Sequence, residues 1–369
     1  MNILNDSGTI EALVPRTLLI SKNHTDLIVN NEGFSPVEIV WKDGLVSNIL
    51  PTNNNFQHNR ILFPRFVETH SHFDKSFSWL MFPNLQSNYE NALSVNLEEH
   101  ITRTSTKVIK RAEESLNLAL KNGYRAIRTH VDTYDSQDAK IWPELFKLRE
   151  KYFPLLSLQF VALAPLEFWS KDEGEKLAIK LEKSSDLIGG VIVPPFNKQK
   201  LTKLLSNMIS LAAKYKLEID LHIDESSSSP GAGIKLLLKT LKKSKYKVPI
   251  TCSHLSSISL LKKKEIENLS KEMSENNIKV IALPLTNFWL LNRNDCELPI
   301  RRPVAPIKQL QKSFVDVSIG SDNVQDPWYP FGNFDPFYLM SLAIPMLQIN
   351  PWDRLSISAL LTAPSRLLN

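Results

Sequence analysis

The sequence predicts an α/β protein, namely a closed (β/α)8 barrel of the TIM-barrel type preceded by a small β-module. From residue 61 onward, apolar runs alternate with amphipathic helical stretches, which is typical of a parallel sheet whose strands are joined by helices. The number of apolar runs matches the eight strands of such a barrel. The predicted strands are Ile61–Val67, Tyr124–Thr129, Ser157–Leu163, Leu187–Val193, Leu217–Ile223, Val248–Cys252, Ile278–Leu283 and Val315–Gly320.

Helical stretches lie between most of these strands. The clearest is Thr106–Asn122, in which apolar residues recur on one face and Gly123 follows as a stop signal. Leu201–Tyr215 and Gly233–Lys243 show the same periodicity, and Leu355–Leu361 is also predicted to be helical. The helices are therefore placed where the crossover connections of a parallel sheet require them.

An open doubly wound sheet is the alternative arrangement of alternating strands and helices. Such a sheet usually carries a glycine-rich phosphate-binding loop after its first strand. In this chain the residues after the first strand are 68–72, which read ETHSH. The barrel is therefore favoured, and its active site is expected at the carboxyl ends of the strands.

Residues 1–60 predict a small β-module, because short β-leaning runs are separated there by Asn, Gly and Pro. These runs are Thr17–Ile20, Leu27–Val29, Val37–Trp41 and Leu45–Leu50, and the polar loop Pro51–Arg60 follows them. The predicted domains are accordingly a β-module over 1–60 and the barrel over 61–369.

The composition is that of a soluble globular protein, with 43% hydrophobic and 22% charged residues and a formal net charge of +5. Basic runs at Lys242–Lys247 and Lys262–Lys264 have acidic residues nearby, which indicates a solvated surface rather than a nucleic-acid interface. Cys252 and Cys296 cannot form a disulfide framework. We find no signal peptide and no apolar run long enough to span a membrane, so a cytoplasmic location is expected. A homo-oligomer is compatible with these features.

Histidines cluster at the predicted strand ends. Three of the eight, His24, His58 and His100, lie elsewhere and are interpreted as surface residues. The remaining five lie at or just past strands 1, 2, 5 and 6, and they are His70, His72, His130, His222 and His254. Because the carboxyl ends of all eight strands meet at one rim of a barrel, these side chains are expected to converge.

The residue types at this rim suit a divalent metal ion. His70 and His72 are two positions apart on an extended backbone, so both rings point to the same side. Together with His222 and Asp322 they offer nitrogen and oxygen ligands suited to Zn²⁺ or Fe²⁺. One ion is expected rather than two, because strand 4 is followed by Pro194 and Pro195 in place of a bridging lysine. His130 is expected to support the site or to pack against it.

A metal ion at this rim would lower the pKa of a bound water towards about 7 and so supply hydroxide at neutral pH. Glu225, which is not needed as a ligand, could carry protons from that water to a leaving group. His254 could hydrogen-bond the attacking water or the developing oxyanion. This set of groups suits hydrolysis at an sp² carbon that carries an amine or amide nitrogen.

The sequence resembles the cytosine deaminase family of the amidohydrolase superfamily over roughly residues 61–369. The resemblance rests on the segments FVETHSHFDKSF, IRTHVD, LQFVALA, LHIDE, ITCSH, PLTNFWLLNR, RRPVAPIK and GSDNVQDPWYPFG. It implies a (β/α)8 barrel with a side β-sandwich and one Fe²⁺ or Zn²⁺ ion. It also implies ligand roles for His70, His72, His222 and Asp322, together with three further roles: Glu225 as proton shuttle, His254 as water-orienting residue and Trp328 as a wall against the substrate ring.

Several positions depart from the family pattern. The cytosine-reading glutamine of the family is absent after strand 3, where Leu166 and Glu167 become the candidate substrate contacts. Ser321 and Asn323 replace a His and an Asp beside the ligand Asp322, which changes the polarity of the pocket. The C-terminal strands of the family are also missing, so the β-sandwich is expected to be incomplete, either because the module is minimal or because the chain is truncated.

The function that follows is a metal-dependent hydrolytic deaminase of a small nitrogen heterocycle, either cytosine-like or a related amidine. The alternative is an amidohydrolase of the same family that cleaves a ring amide or an alkylamine on a triazine-like ring, because HSHFDKSF resembles the motif of such a relative. A non-catalytic binding paralogue is a third hypothesis. The unrelated zinc deaminase fold is excluded, because its HxE and PCxxC motifs are absent.

Overall fold

The computed structural model describes residues 7–19, 27–52, 60–135, 137–293 and 301–368. The chain forms two compact units. One consists of Met1–Arg65 and Ile349–Ser358, and the other of Phe66–Gln348 and Ala359–Asn369. Among the described residues, none of the helices combines the length and the hydropathy that crossing a bilayer requires.

The first unit contains an antiparallel sheet with the strand order β1-β2-β3. Its strands are β1 (Gly8–Pro15), β2 (Phe34–Lys42) and β3 (Leu45–Pro51). Asp43 and Gly44 join the last two strands with φ values of 52° and 72°, the backbone that a tight two-residue hairpin requires. Buried apolar side chains form the core of this unit: Val14, Leu19, Leu27, Val37 and Ile39.

Two of the strands predicted for the module lie within β2 and β3, and two others are wrong. In the predicted strand Thr17–Ile20, the described residues 17–19 do not form a strand, because the chain turns after Pro15 into a 3-10 helix over Arg16–Leu18, and Ile20 lies outside the described residues. Residues 27–29 have no regular structure. Strand β1 was not predicted, although the alternation along Gly8–Pro15 matches its half-buried face.

The second unit contains eight parallel strands in a nearly closed barrel, which confirms the predicted fold. The strands are β4 (Phe66–Ser71), β5 (Tyr124–Asp132), β6 (Ser157–Leu163), β7 (Leu187–Ile192), β8 (Ile219–Ile223), β9 (Ile250–His254), β10 (Lys279–Ala282) and β11 (Val317–Ile319). Each strand pairs with the next one along the chain. An isolated bridge between Ser71 and Asp322 connects the two edge strands.

Seven of the eight predicted barrel strands agree with the structure to within three residues at each end. The first is wrong at its start, because β4 begins at Phe66 rather than at Ile61. Ile61 instead forms a bridge with Leu13 of the first unit. Pro64 lacks the backbone N–H that a ladder position requires, so pairing with β5 begins only after it. His70 consequently lies inside the strand, and His72 follows directly after it.

Helices connect the barrel strands, as predicted. In chain order they are α1 (Tyr89–Ile101), α2 (Ser105–Lys121), α3 (Trp142–Tyr152), α4 (Asp172–Lys183), α5 (Lys198–Lys214), α6 (Ala232–Lys243), α7 (Lys263–Glu275), α8 (Pro284–Leu290), α9 (Ile307–Lys312) and α10 (Pro336–Leu347). The short helices α11 (Arg354–Ile357) and α12 (Ala363–Leu367) flank a π-helical turn over Ser358–Thr362. This turn replaces most of the helix predicted over Leu355–Leu361.

Polar signals at the helix ends explain the boundaries of α2 and α5. The side chain of Thr104 accepts a hydrogen bond from the backbone N–H of Lys107 at the start of α2. Gly123 follows that helix with φ of 87°, a conformation that glycine adopts at little cost. At α5 the side chain of Asn197 caps the backbone N–H of Lys200, which starts the helix three residues before the predicted Leu201.

A buried cluster of charges joins α1 to the ends of β4 and β5. The guanidinium of Arg103 lies 2.8 Å from Oδ2 of Asp74 and 3.0 Å from Oδ2 of Asp132, and it also pairs with Glu99. All four side chains are buried. Without the guanidinium, three carboxylates would remain in a poorly solvated environment with fewer cations to balance them.

We predict that Arg103→Met lowers the free energy of unfolding by about 3–5 kcal/mol, because it leaves buried carboxylates without their partner. Urea unfolding followed by far-UV circular dichroism measures this change. Lys147→Met is the matched control, because Lys147 pairs with Glu144 on the exposed face of α3 and its loss should barely move the midpoint. Equal midpoints for Arg103→Met and the control would contradict the prediction.

Candidate metal centre and active site

Three imidazoles and one carboxylate meet at the carboxyl end of the barrel. Nε2 of His72 lies 3.2 Å from Nε2 of His70 and 3.3 Å from Nε2 of His222. Oδ1 of Asp322 lies 3.5 Å from Nε2 of His70 and 3.3 Å from Nε2 of His72. Tetrahedral ligands at zinc–nitrogen bond lengths lie about 3.3 Å from one another. These four distances are therefore those expected between neighbouring ligands of one metal ion.

The electrostatics of the four residues also fit a cation. Burial lowers the pKa of His222 to about 3 and lowers the pKa values of His70 and His72 well below the usual value, so that all three rings are neutral at pH 7. Burial raises the pKa of Asp322 to about 8. Neither carboxylate oxygen of Asp322 has a hydrogen-bond partner among the described residues. A divalent ion would satisfy this carboxylate and bind the neutral imidazoles.

His70 is held in the orientation that metal binding requires. Its Nδ1 lies 2.9 Å from the hydroxyl of Ser253, and that hydroxyl donates to Oδ1 of Asp220 over 2.9 Å. The other oxygen of Asp220 accepts a hydrogen bond from Arg128 over 2.8 Å. Because Ser253 donates its proton to Asp220, it accepts from Nδ1–H of His70, which leaves the lone pair of Nε2 free. All four residues are buried.

His130 and Lys75 complete the surroundings of the histidines. The ring of His130 stacks on that of His70 with centroids 3.9 Å apart, which agrees with its expected packing role. Nζ of Lys75 lies 3.2 Å from Nδ1 of His72 and donates to Oδ1 of Asp132 over 2.8 Å. The ammonium of Lys75 can only donate, and its charged acceptor here is the carboxylate of Asp132.

Glu225 and His254 lie together beside the four donors. Oε1 of Glu225 is 3.3 Å from Nδ1 of His254, and the amide of Asn287 donates to both atoms, over 3.2 Å and 3.0 Å. Burial, and then the Asp322 carboxylate, raise the pKa of Glu225 well above its usual value. Because Nδ1 of His254 accepts from Asn287, the ring proton lies on Nε2, which has no partner among the described residues.

Asn287 is a site residue that sequence analysis did not identify. It lies in α8, five residues beyond the end of β10, and it is completely buried. The available signal was a polar residue within an apolar segment, PLTNFWLL, directly after a predicted strand end. Ser253 and Asp220 were missed for a related reason. Asp220 lies inside a predicted strand and Ser253 directly follows another, and at neither position does the sequence indicate which face of the sheet the side chain occupies.

The backbone at three strand ends adopts a left-handed conformation without glycine. The φ values are 55° at Asp224, 70° at His254 and 67° at Asp322. Asp and His tolerate this region better than most residues, but it still costs free energy relative to extended backbone. At each of these three positions the chain turns away from the sheet, at or next to a residue of the site.

A cavity of about 970 Å³ opens above these groups. All four residues predicted to contact a substrate line it: Trp328, Leu166, Glu167 and Asn323. Trp328 packs edge-to-face on Tyr89 with ring centroids 5.1 Å apart. The Asn323 amide donates to Asp326 over 2.8 Å, and Glu167 pairs with Lys200 over 2.7 Å. The polar groups of Asn323 and Glu167 are therefore already engaged within the protein.

Two further candidates among the described residues, His100 and Cys252, are not part of the donor cluster. His100 is a partly exposed residue of α1 whose Nε2 lies 3.3 Å from Oδ1 of Asp138. Cys252 is a buried residue of β9. His24, His58 and Cys296 fall outside the described residues.

We predict that Ser253→Ala weakens metal binding by about 10–100-fold, because His70 loses the partner that sets its orientation. A chelator-competition titration of the purified protein measures the affinity, and circular dichroism verifies the fold. Ser270→Ala is the matched control, because the Ser270 hydroxyl is equally buried and only bonds Ile266 of its own helix. Unchanged metal affinity in Ser253→Ala would show that the hydroxyl does not orient His70.

No protein-family model matches the chain, whereas curated relatives align over most of its length. A pterin deaminase of Rhizobium rhizogenes is 28% identical over 355 residues, which cover 92% of this chain and 79% of the relative. An N-isopropylammelide isopropyl amidohydrolase of Pseudomonas sp. is 26% identical over 326 residues, which cover 84% of this chain and 77% of the relative.

The fold is shared with solved structures. A 5-methylcytosine deaminase of Klebsiella pneumoniae has a TM-score of 0.79 at 20% identity, and the match covers 98% of this chain and 87% of the other. An N-isopropylammelide isopropylaminohydrolase of Burkholderia multivorans has a TM-score of 0.70 at 18% identity, with coverage of 97% and 86%. The relatives are deaminases and amidohydrolases, as the sequence motifs predict. The homologues and structural neighbours of the chain are thus deaminases and amidohydrolases of the metal-dependent amidohydrolase superfamily.

Proposed function

We propose that the protein is a metal-dependent hydrolase that deaminates a small nitrogen heterocycle. One observation carries the proposal. The donor atoms of His70, His72, His222 and Asp322 are spaced as ligands of one ion would be, and a further carboxyl group, Glu225, lines the same cavity as His72, His222 and Asp322. This combination is what hydrolysis of a C–N bond at neutral pH needs.

The proposed ligands are His70, His72, His222 and Asp322, and both Fe²⁺ and Zn²⁺ suit three imidazoles and one carboxylate. Such an ion, when bound, lowers the pKa of a water molecule and polarises the atom that water attacks. The neutral state of the three rings and the unpartnered carboxylate of Asp322 support this assignment.

Glu225 is the proposed proton carrier. Its carboxylate takes a proton from the attacking water as the water oxygen bonds to the ring carbon, and it returns the proton to the leaving nitrogen as the C–N bond breaks. A carboxyl whose pKa is raised by burial holds a proton more readily than an exposed carboxyl does, which suits it to carry the proton between the two steps. Ammonia and a ring carbonyl are the products.

His254 and Asn287 are proposed to hold the reacting oxygen. Asn287 donates to Nδ1 of His254, so Nε2–H is the ring's free donor. A donor fixed in this way stabilises negative charge on the water oxygen or on the developing oxyanion. Trp328, held edge-on by Tyr89, is placed to pack against the ring of the substrate.

A second function within the same chemistry is release of an alkylamine, or opening of a ring amide, instead of release of ammonia. The observation that favours it is the apolar Leu166 after β6, where a cytosine-specific site would hold an amide side chain. The N-isopropylammelide relative also carries out amidohydrolysis, as its name states. The same roles of Glu225 and His254 would serve either leaving group.

We predict that Glu225→Gln lowers kcat by about 10²–10⁴-fold while the protein keeps its metal, because the amide cannot carry a proton. Ammonia release and metal content by mass spectrometry measure the two effects separately. Glu175→Gln makes the same change in a partly exposed residue of α4 that pairs with Lys214 outside the cavity, and it should retain metal and turnover. Full activity of Glu225→Gln would contradict the proposed role.

A second prediction concerns removal of the metal. Chelation should abolish hydrolysis and lower the thermal midpoint, because an ion that binds only the folded protein stabilises it. Adding back Fe²⁺ or Zn²⁺ should restore both properties, and ammonia or amine release from aminopyrimidines, triazines and cyclic amidines would then identify the leaving group. Stoichiometric metal without cleavage of any C–N bond in this panel would contradict the proposed function.

A further inference from the structure

The barrel mouth has a polar side and an apolar side. The carboxyl ends of strands β4, β8 and β9 and the segment after β11 contribute the histidines and Asp322. The ends of β6 and β7 contribute side chains that have no donor or acceptor. We call this second group the apolar wall, and its residues in the cavity are Leu163, Ala164, Pro165, Leu166, Val191 and Val193.

Val191 shows that the apolar wall faces the reacting groups. In the parallel register of β7 and β8, Val191 is the partner of His222, so the two side chains point to the same side of the sheet. Val191 is 44% exposed, in contrast to Ile192, which is 1% exposed. An apolar side chain next to a proposed metal ligand is thus open to the cavity.

The backbone of the apolar wall is not free to replace the missing polar side chains. The carbonyl of Leu163 accepts from the N–H of Thr133 over 2.8 Å, and that of Ile192 accepts from Asp224 over 3.0 Å. The N–H of Ala164 donates to Gly189, whose carbonyl also accepts from the indole of Trp169. These groups are used by neighbouring strands and turns, so a polar atom of a ligand would find few partners here.

Leu166 is fixed in the wall by its contact with β7. A side chain on Gly190 would lie 2.8 Å from Cδ2 of Leu166, so only glycine leaves room for the leucine at this point. Leu166 is itself 4% exposed, which means that it packs as part of the wall rather than projecting into the cavity. Beyond it, Glu167 pairs with Lys200 on the outer rim.

We propose that the substrate is a nitrogen heterocycle bearing an apolar substituent, alkyl or aryl, that contacts the apolar wall when the scissile C–N bond faces Glu225. This proposal rests on the proposed function and specifies its substrate class. A polar ring edge against the wall would lose its hydrogen bonds to water without replacement. An apolar group gains from the same burial, and a cavity of about 970 Å³ leaves room for it beside a single ring.

A matched substrate series tests this proposal. We would measure kcat/KM of the metal-loaded enzyme for aminopyrimidines and aminotriazines that carry hydrogen, methyl, propyl or phenyl at each free ring position. For at least one position, kcat/KM should rise about 10-fold or more for each added methylene until the wall is covered. A series in which the unsubstituted rings are the best substrates at every position would overturn the proposal.

Val191→Asn should reduce the ratio of kcat/KM between the propyl and unsubstituted compounds by about 10-fold, because it places an amide in the wall. Ile179→Asn is the control, since Ile179 lies on the outer face of α4 and is 37% exposed. The control should leave the ratio unchanged. An unchanged ratio in Val191→Asn would contradict the position assigned to the substituent.

A binding measurement distinguishes failure of this proposal from failure of the proposed function. Calorimetric titration of metal-loaded Glu225→Gln with the same compounds should show tighter binding of the propyl and phenyl members by about 10-fold or more. If this binding preference is found but the unmodified protein turns over none of the compounds, the proposed hydrolase function is refuted and the proposed apolar substituent is supported. If the unmodified protein turns over unsubstituted rings and binding shows no preference for substituted ones, the proposed apolar substituent is refuted and the hydrolase function is supported.

Discussion

The convergence of three imidazole nitrogens and one carboxylate oxygen on a single point is the constraint around which the barrel mouth is built. Neighbouring atoms of this set lie 3.2–3.5 Å apart and are buried, and a cation bound between them would satisfy the carboxylate of Asp322. The same point is where the sheet closes. The N–H of Asp322 donates to the carbonyl of His70 over 2.9 Å, and Ser71 bridges Asp322. Metal binding and barrel closure are therefore expected to support each other.

The layer beneath the donors keeps them in place without competing for the ion. Ser253 and Asp220 set the orientation of His70, while His130 holds its ring from one side. Glu68 accepts hydrogen bonds from the backbone and hydroxyl of Ser321, which ties β4 to the segment after β11. Burial nevertheless raises the pKa of Glu68 to about 7. These contacts are made inside the barrel, where a fixed hydrogen bond is stronger than in water.

Sequence predicted the fold and the candidate donors for a physical reason. Parallel strands buried on both faces are nearly continuous apolar runs, so a polar residue that follows such a run is easy to recognise. His222 and Asp322 were identified in this way. The start of β4 was harder to predict from the sequence, because Ile61 is as apolar as the residues of that strand. In the structure Ile61 forms its bridge with Leu13 of the first unit.

The residues that sequence analysis missed can be recognised only from their neighbours in three dimensions. Ser253 and Asp220 alternate with apolar residues inside strands, and only the register shows that they meet His70 and Arg128. Asn287 reaches Glu225 and His254 from α8, which is distant in the sequence from both. The sequence also indicated the loss of the glutamine after β6. The apolar wall could be recognised only in the structure, from the pairing of Val191 with His222 and from the backbone hydrogen bonds of Leu163 and Ile192.

The most direct test of this account is an anomalous-diffraction map of crystals of the protein loaded with Zn²⁺. The account predicts one strong peak per chain, located about 2.0–2.2 Å from Nε2 of His70, His72 and His222 and from a carboxylate oxygen of Asp322. A map with no peak among these four residues, or with the metal bound by another set of side chains, would contradict it.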